Sequence, residues 1–126
     1  MSNINNPRRR SIMVVDDEAL VRMMAVDLFE QAGFNVLEAD NGAEAARTIA
    51  ELDSIDGLFI DITMPGPVDG LELARIVCER HPEAIVVLVS SKTPPAAHEL
   101  PGCAQFIAKP YDSAAMLRIF DLLPQA

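Results

Sequence analysis

The sequence predicts an α/β fold: a doubly wound, five-stranded parallel sheet with helices on both faces. Apolar runs alternate with amphipathic helical patterns along the chain, which is typical of repeated βαβ units. The run GLFI is apolar throughout, and AIVVLV is the most apolar segment, so both indicate strands that are buried on both faces. The chain has 126 residues, of which half are apolar, and this fits one domain with a single core.

Five strand signals follow one another in the sequence. Each is a short apolar run bounded by polar, glycine or proline residues. The fourth run is predicted to lie inside the sheet because it is the most apolar. The predicted strands are, in order, IMVV (12–15), FNVLEA (34–39), GLFID (57–61), AIVVLVSS (84–91) and CAQFIAK (103–109).

Four helices are predicted between and after these strands, each with an apolar stripe at helical spacing. Gly33 lies where the first helix ends, and Asp69 is placed to cap the third. Asp112 or Ser113 is expected to cap the last helix. The first three helices cover residues 19–32, 43–52 and 70–80. The four stripes comprise Leu20, Met24 and Leu28; Ala46, Ile49 and Ala50; Leu71, Ala74, Val77 and Cys78; and Leu117, Phe120 and Leu123.

The segment SSKTPPAAHELPG, which follows the fourth strand, does not suit a full helix. It contains Pro94, Pro95 and Pro101, and a proline inside a helix costs about 3 kcal/mol. We therefore predict that the helix between the fourth and fifth strands is short or irregular, or absent. If present, it has one or two turns and starts near Pro95.

The charge balance narrows the possible partners. Nineteen acidic and ten basic residues give a formal net charge of -9, which repels phosphate backbones and anionic membranes. No apolar stretch approaches the roughly 18–20 residues that a membrane span needs. We expect neither nucleic acid nor a membrane as a partner. Residues 1–9 are predicted to form a flexible N-terminal tail and residues 10–124 one domain, with no separate output domain.

The chain contains two cysteines, Cys78 and Cys103. They have no CxxC spacing, and two cysteines are too few for a disulfide scaffold. We therefore interpret both as small, reduced core residues. This interpretation favours a cytoplasmic location.

Polar side chains lie at the carboxyl ends of four predicted strands. In an open parallel sheet these ends meet at one edge, which is where such folds form their sites. The sequence therefore predicts that three carboxylates, a hydroxyl and an ammonium converge. These residues are Asp16 and Asp17 after the first strand, Asp61 at the end of the third, Ser90 and Ser91 at the end of the fourth, and Lys109 after the fifth.

Such an acidic cluster needs a counter-charge. Two carboxylates about 4 Å apart repel by roughly 1 kcal/mol in water and about 4 kcal/mol at an effective dielectric constant near 20. Lys109 cannot cancel three of them, so either one acid is protonated or a divalent cation binds. Because the nearby ligands are oxygens, a hard ion such as Mg²⁺ fits best. An aspartate beside Mg²⁺ and a lysine can act as a nucleophile toward a phosphoryl group.

Four segments carry a resemblance to a known family. VVDDE, LFIDITMP, VVLVSS and FIAKPY resemble, in order and spacing, the receiver domain of two-component response regulators, the CheY-like fold. The resemblance spans residues 10–123. It implies that Asp61 is the phosphoacceptor and that Mg²⁺ is the cofactor. It further implies that Asp17 and Asp61 bind the ion through their side chains, Thr63 through its backbone carbonyl, and Asp16 through water.

The same resemblance assigns roles to three other residues. Ser90 matches the switch residue that reaches for the phosphoryl oxygen, and Lys109 matches the lysine that pairs with phosphorylated Asp61. Phe106 occupies the position of the aromatic switch residue. The family also implies a cis bond before Pro110. Two departures stand out: MPGPVDG is one residue longer than the usual loop, and the 19 positions from Ser90 to Lys109 are fewer than usual.

The implied function is that of a single-domain response regulator. It would take its phosphoryl group from a sensor histidine kinase or a histidine phosphotransfer protein and pass the signal to a downstream protein target that the sequence does not name. It would catalyse only its own phosphorylation and dephosphorylation. Two alternatives stay open: a degenerate receiver that binds a partner without phosphorylation, and a small aspartyl-phosphate phosphatase.

Overall fold

The computed structural model describes residues 10–92 and 94–121, and in these ranges five strands form one parallel sheet with order β2-β1-β3-β4-β5. The strands are β1 (Ser11–Val15), β2 (Asn35–Ala39), β3 (Gly57–Asp61), β4 (Ile85–Ser90) and β5 (Ala104–Ala108). The helices are α1 (Ala19–Gln31), α2 (Gly42–Glu51), α3 (Gly70–Arg80) and α4 (Ser113–Phe120).

The order of the strands reverses next to β1. The chain moves from β1 out to β2 and then crosses back to β3 on the other side of β1. Such a reversal leaves a crevice at the carboxyl ends of the strands, and open α/β sheets bind their ligands in that crevice. The predicted fold class is confirmed, and so is the interior position of β4, which pairs with both β3 and β5.

Two hydrophobic layers cover the sheet. Along β1, Met13 and Val15 pack with α2 and α3, whereas Ile12 and Val14 pack with α1 and α4. This alternation follows from the two-residue period of a strand, and it buries both faces. Phe29, Phe59 and Phe120 form an edge-to-face cluster on the second face.

The side chains at three helix starts cap the backbone. Asp69 accepts a hydrogen bond from the backbone N–H of Glu72 (2.9 Å), and Asp112 accepts one from that of Ala115 (3.3 Å). Both caps are as predicted. Asn41 caps α2 in the same way. Gly33, beyond the end of α1, has a φ of 97°, a conformation that favours glycine.

The predicted stripe of α1 is wrong. Leu20 and Met24 are 76% and 72% exposed, and the buried residues are Ala25 and Phe29. The segment ALVRMMAV is apolar on nearly every side, so its spacing does not single out one face. Phe29 selects the face by joining the phenylalanine cluster. The stripe of α2 is wrong in one position, because the exposed Ala50 is replaced in the core by Ala45.

Between β4 and β5, the residues that the structure describes form one 3₁₀ turn, Ala97–Glu99, in the segment whose prolines disfavour a full helix. The prediction that the helix between the fourth and fifth strands is short or irregular is confirmed. Glu99 accepts a hydrogen bond from the backbone N–H of Ala96 (2.8 Å) across this turn. None of the three residues in the turn is buried, so this segment contributes little cover to the sheet.

The interpretation of the two cysteines as reduced core residues is wrong. Cys78 and Cys103 form a disulfide, with their Cα atoms 5.6 Å apart and a separation of 25 positions in the sequence. The fold packs the second half of α3 against the start of β5, and this proximity leaves no signal in the spacing of the residues. Both side chains are partly exposed.

Some predictions concern residues outside the described ranges. The proposed tail of residues 1–9 and the inward position of Leu123 belong to this group. Within the described ranges, no helix is both long and apolar enough to cross a lipid bilayer.

Candidate functional site

The carboxyl edge of the sheet gathers the polar residues at the strand ends. Asp16 follows β1, Asp61 ends β3, Ser90 ends β4 and Lys109 follows β5. Because these strands run parallel, their ends meet on one edge. Asp16, Asp61 and Ser90 expose only 1%, 6% and 3% of their surface, and they are the buried polar residues of the part of the chain that the structure describes.

Asp16 is held at the first turn after β1. Its Oδ1 accepts a hydrogen bond from the backbone N–H of Glu18 (2.9 Å), and its own N–H donates to the carbonyl of Ala39 (3.2 Å). Its Oδ2 is buried and has no hydrogen-bond partner. Burial is the main cause that raises the pKa of Asp16 above its ordinary value of 3.8, and the negative charge of Asp61 raises it further.

Lys109 supplies one ammonium opposite two carboxylates. Its Nζ lies 4.0 Å from Asp16 Oδ2 and 4.0 Å from Asp61 Oδ2. Its backbone N–H donates to the carbonyl of Ser90 (2.9 Å), which holds the end of β5 beside the end of β4. The peptide bond from Lys109 to Pro110 is cis, as predicted. One positive charge is thus shared between two acids and can neutralise only one of them.

The loop after Asp61 is packed tightly. Asp61 Oδ1 accepts a hydrogen bond from the backbone N–H of Thr63 (3.0 Å), and Ile62 donates its N–H to the carbonyl of Val89 (3.0 Å). At Gly70, where α3 begins, an added Cβ would lie 2.6 Å from Ile62 Cα and 2.7 Å from the carbonyl oxygen of Asp61. Glycine therefore permits the close approach of α3 to the loop that positions Asp61.

A group of three acids could hold a cation at this edge. Carboxylate oxygens of Asp16, Glu18 and Asp61 all lie within 4.8 Å of one another. Glu18 was not among the ligands predicted from the sequence, although it is the third acid of the DDE run. Asp17, which the sequence predicts as a direct ligand, is exposed and does not belong to this group.

Comparison with known proteins assigns the chain to a family. Residues 12–121 match the family model of the response regulator receiver domain. The chain belongs to this family. The chemotaxis protein CheY of Thermotoga maritima is 31% identical over 112 residues, which cover 86% of this chain and 92% of that protein.

Two solved structures share the receiver fold. A response regulator receiver protein from Sinorhizobium medicae WSM419 is similar with a TM-score of 0.82 and 26% identity, covering 91% of this chain and 97% of that one. The receiver domain of the sensor histidine kinase PA1611 from Pseudomonas aeruginosa PAO1 has a TM-score of 0.76 and 18% identity, covering 90% and 96%.

Receiver domains bind Mg²⁺ at an acidic site and are phosphorylated by histidine kinases. The chain spans less than a third of the length of the methylesterase and sensor kinase relatives that it matches.

Two residues predicted to form the switch of the receiver lie on β4 and β5. Ser90 Oγ accepts a hydrogen bond from the backbone N–H of Lys92 (3.0 Å). Phe106 pairs with Leu88 across the two strands, is partly buried, and packs against the core layer of α2 and α3. The positions of Ser90 and Phe106 are compatible with the predicted roles, which remain predictions.

Tyr111 is a residue of the receiver site that the sequence analysis missed. Its ring packs edge-to-face on Phe59 (5.6 Å between centroids), and with Lys109 it lines a surface groove of about 440 Å³ between α1 and the start of α4. Burial raises the pKa of Tyr111 above its ordinary value of 10.0, and the negative charge of Asp16 adds to this. The sequence marks Tyr111 only by its position directly after Lys109 and Pro110.

Proposed function

We propose that this receiver domain, within residues 10–124, accepts a phosphoryl group on Asp61 in a Mg²⁺-dependent reaction and signals through a change of conformation. The observation that carries the proposal is the position of Lys109 Nζ, 4.0 Å from the carboxylates of both Asp16 and Asp61. Three separate segments of the chain are needed to bring these groups together, and an ion pair that served stability alone would not need two buried acids for one amine.

The residues present fit a hard divalent cation. Asp16 Oδ2 is buried without a hydrogen-bond partner, and Asp16, Glu18 and Asp61 offer carboxylate oxygens that lie within 4.8 Å of one another. We propose that Asp17, Asp61, the backbone carbonyl of Thr63 and, through water, Asp16 hold Mg²⁺; Asp17, which is exposed and outside the group of three acids, would have to turn toward Asp61 to bind the ion. Glu18 adds a carboxylate at the same place. The ion supplies positive charge that balances the acids and the phosphoryl oxygens. The magnesium ion in the active-site cleft of the Pseudomonas aeruginosa receiver supports this assignment.

Asp61 acts as the nucleophile through one oxygen. Its Oδ1 is engaged by the N–H of Thr63, so Oδ2, the oxygen near Lys109, is the one available for attack. A new bond from Oδ2 to phosphorus forms while the bond from phosphorus to the donor breaks, and the donor leaves with the electron pair. The ammonium of Lys109 stabilises negative charge on the transferred oxygens. Burial of Asp61 limits the access of water to the product.

The response to phosphorylation involves the ends of β4 and β5. The hydroxyl of Ser90 can donate its proton to a phosphoryl oxygen while its Oγ still accepts from Lys92. Movement of Ser90 leaves space that Phe106 can enter from the neighbouring strand. Phosphorylation then shifts a population between two packings of this edge of the sheet.

We propose a sensor histidine kinase or a histidine phosphotransfer protein as the phosphoryl donor, and a protein as the downstream target. The sensor kinases CqsS of Vibrio cholerae and CckA of Brucella abortus are among the relatives. We also propose that the protein acts in the cytoplasm and that it is a switch which turns over only its own phosphoryl group. Neither nucleic acid nor a membrane is proposed as a partner, since the net charge is -9.

Intact mass spectrometry tests the proposal. The protein is mixed with Mg²⁺ and a small phosphodonor such as acetyl phosphate, with Asp61→Asn as the matched control. We expect one phosphoryl group on the wild type, none on the control, and none when Mg²⁺ is chelated. A wild type that gains no phosphoryl group supports a degenerate receiver instead. Continuous release of phosphate far beyond one equivalent, with no phosphorylated protein, supports a phosphatase.

A further inference from the structure

The Cys78–Cys103 disulfide, called the bridge below, lies at the edge of the sheet opposite the acidic site. Cys78 belongs to the last turns of α3, and Cys103 directly precedes β5. The bridge therefore joins the far ends of two elements whose near ends lead into the site. The start of α3 packs on the loop after Asp61, and Lys109 follows the end of β5.

The bridge faces an open surface cavity. The cavity has a volume of about 290 Å³ and is lined by Cys78, Pro82, Gly102 and Cys103. A side chain added at Gly102 would meet no atom within 4 Å, so the space beside the sulfur atoms is open. Thiol–disulfide exchange needs a path for the attacking sulfur, and this cavity provides one.

The bridge also ties down a strand at the edge of the sheet. β5 is an edge strand that pairs with β4 alone. In the segment before it, the residues that the structure describes form the short turn Ala97–Glu99 and no longer helix. Cys103 and Phe106 are both partly exposed and pack on the same core layer as Cys78. At this edge, the disulfide links the start of β5 covalently to α3.

We propose that the bridge is a redox-sensitive site, opened by a thiol reductant, and that its state controls how tightly β5 is held on the sheet. A thiolate of the reductant attacks one sulfur of the bridge, and the other cysteine leaves as a thiolate. A second thiolate then releases the first cysteine. The reductant ends as its own disulfide, and the protein gains two electrons and two protons as two cysteine thiols.

The proposed cytoplasmic location supports this inference. A disulfide in a protein of a reducing compartment is usually transient and redox-sensing rather than a permanent staple. The inference from location rests on the proposed function. The chemistry of the bridge and its effect on β5 do not, so the two can be tested separately.

The experiment measures cysteine alkylation and backbone hydrogen exchange on the folded protein. Protein purified without reductant is incubated with increasing dithiothreitol or, in a second series, reduced glutathione, and is then alkylated and weighed. Exchange is followed in peptides from β5 and, as a control, from β2, the other edge strand. We expect no alkylation before reduction and two alkylated cysteines after it. Exchange in β5 should then rise by about tenfold or more, while β2 is unchanged.

A Cys78→Ser/Cys103→Ser double variant should show the fast β5 exchange with and without reductant. The wild-type titration stands alone if this variant does not fold. Three results would overturn the proposal: alkylation without reductant, reduction that occurs only when β2 also opens, or reduction that leaves exchange in β5 unchanged. None of these results depends on phosphorylation of Asp61, so failure here is distinguishable from failure of the proposed function.

Discussion

Replacing Cys78 and Cys103 by serine removes a link between two positions that are 25 apart in the chain. The cross-link restricts the unfolded chain, and the loop-closure relation for this separation gives a loss of stability of about 3.5 kcal/mol at 25 °C. With an unfolding entropy of about 2.1 cal/mol/K per residue over 126 residues, the melting temperature should fall by about 13 °C. Both cysteines are partly exposed, so lost packing adds little to this figure.

Urea denaturation followed by circular dichroism measures this effect. The oxidised wild type, the reduced wild type and the serine double variant are compared under identical conditions. The reduced wild type and the double variant should agree, because neither has the link. The slope of free energy against urea should also rise slightly without the link, since the unfolded chain exposes more surface. A difference below about 1 kcal/mol between oxidised and reduced protein would refute the loop-closure argument at this site.

Three further predictions concern the acidic site. Without metal, Asp61→Asn should fold and be more stable than the wild type by about 1 kcal/mol, because one of the mutually repelling acids loses its charge. Marked destabilisation of the variant in urea would contradict the claim that these carboxylates repel one another. Asp16→Asn should also stabilise the metal-free protein near neutral pH. The pKa of Asp16 is raised in the folded state, so keeping its carboxylate charged near neutral pH lowers the stability of the wild type. Protonation removes this cost, and the stability advantage of Asp16→Asn should therefore vanish as the pH falls through the raised pKa toward 3.8. An advantage that is independent of pH would contradict this. Gly70→Ala should lower the free energy of unfolding in urea by about 1–3 kcal/mol, because the added Cβ forces α3 away from Asp61. The control Gly102→Ala should have almost no effect, since its Cβ meets no atom within 4 Å. Equal effects of the two variants would refute the packing argument.

The sequence predicts the parts of the fold that depend on local chemistry. Asp69 and Asp112 are recognisable caps because each is a short acceptor placed before an apolar helical repeat, and both make the expected hydrogen bond. The prolines at 94, 95 and 101 predict a short or irregular helix, or none, between β4 and β5, because a proline disrupts a helix wherever it lies in the fold.

The failures occur where tertiary packing decides. The spacing of α1 does not reveal that Phe29 joins two other phenylalanines, so Leu20 and Met24 were placed on the wrong side. The bridge exists because α3 and β5 meet, and no sequence motif marks a contact across 25 positions.

In the candidate site, too, some residues can be predicted from the sequence and others depend on tertiary packing. Asp16, Asp61 and Lys109 are predictable as strand ends, and the structure brings them together. Glu18 rather than Asp17 lies near Asp61, and the sequence does not distinguish between these adjacent acids. Tyr111 lies beside Lys109 because its ring packs on Phe59, which is a tertiary contact.

Locating the phosphoryl group within the chain is the most direct test of the account. An acyl phosphate formed with Mg²⁺ and a small phosphodonor can be reduced by borohydride, which converts the modified aspartate to homoserine, and the altered residue can be found by peptide mass spectrometry. The account predicts homoserine at position 61 and a sharp loss of the product in Lys109→Ala. Modification at Asp17 or Glu18 instead, with Asp61 intact, would contradict it.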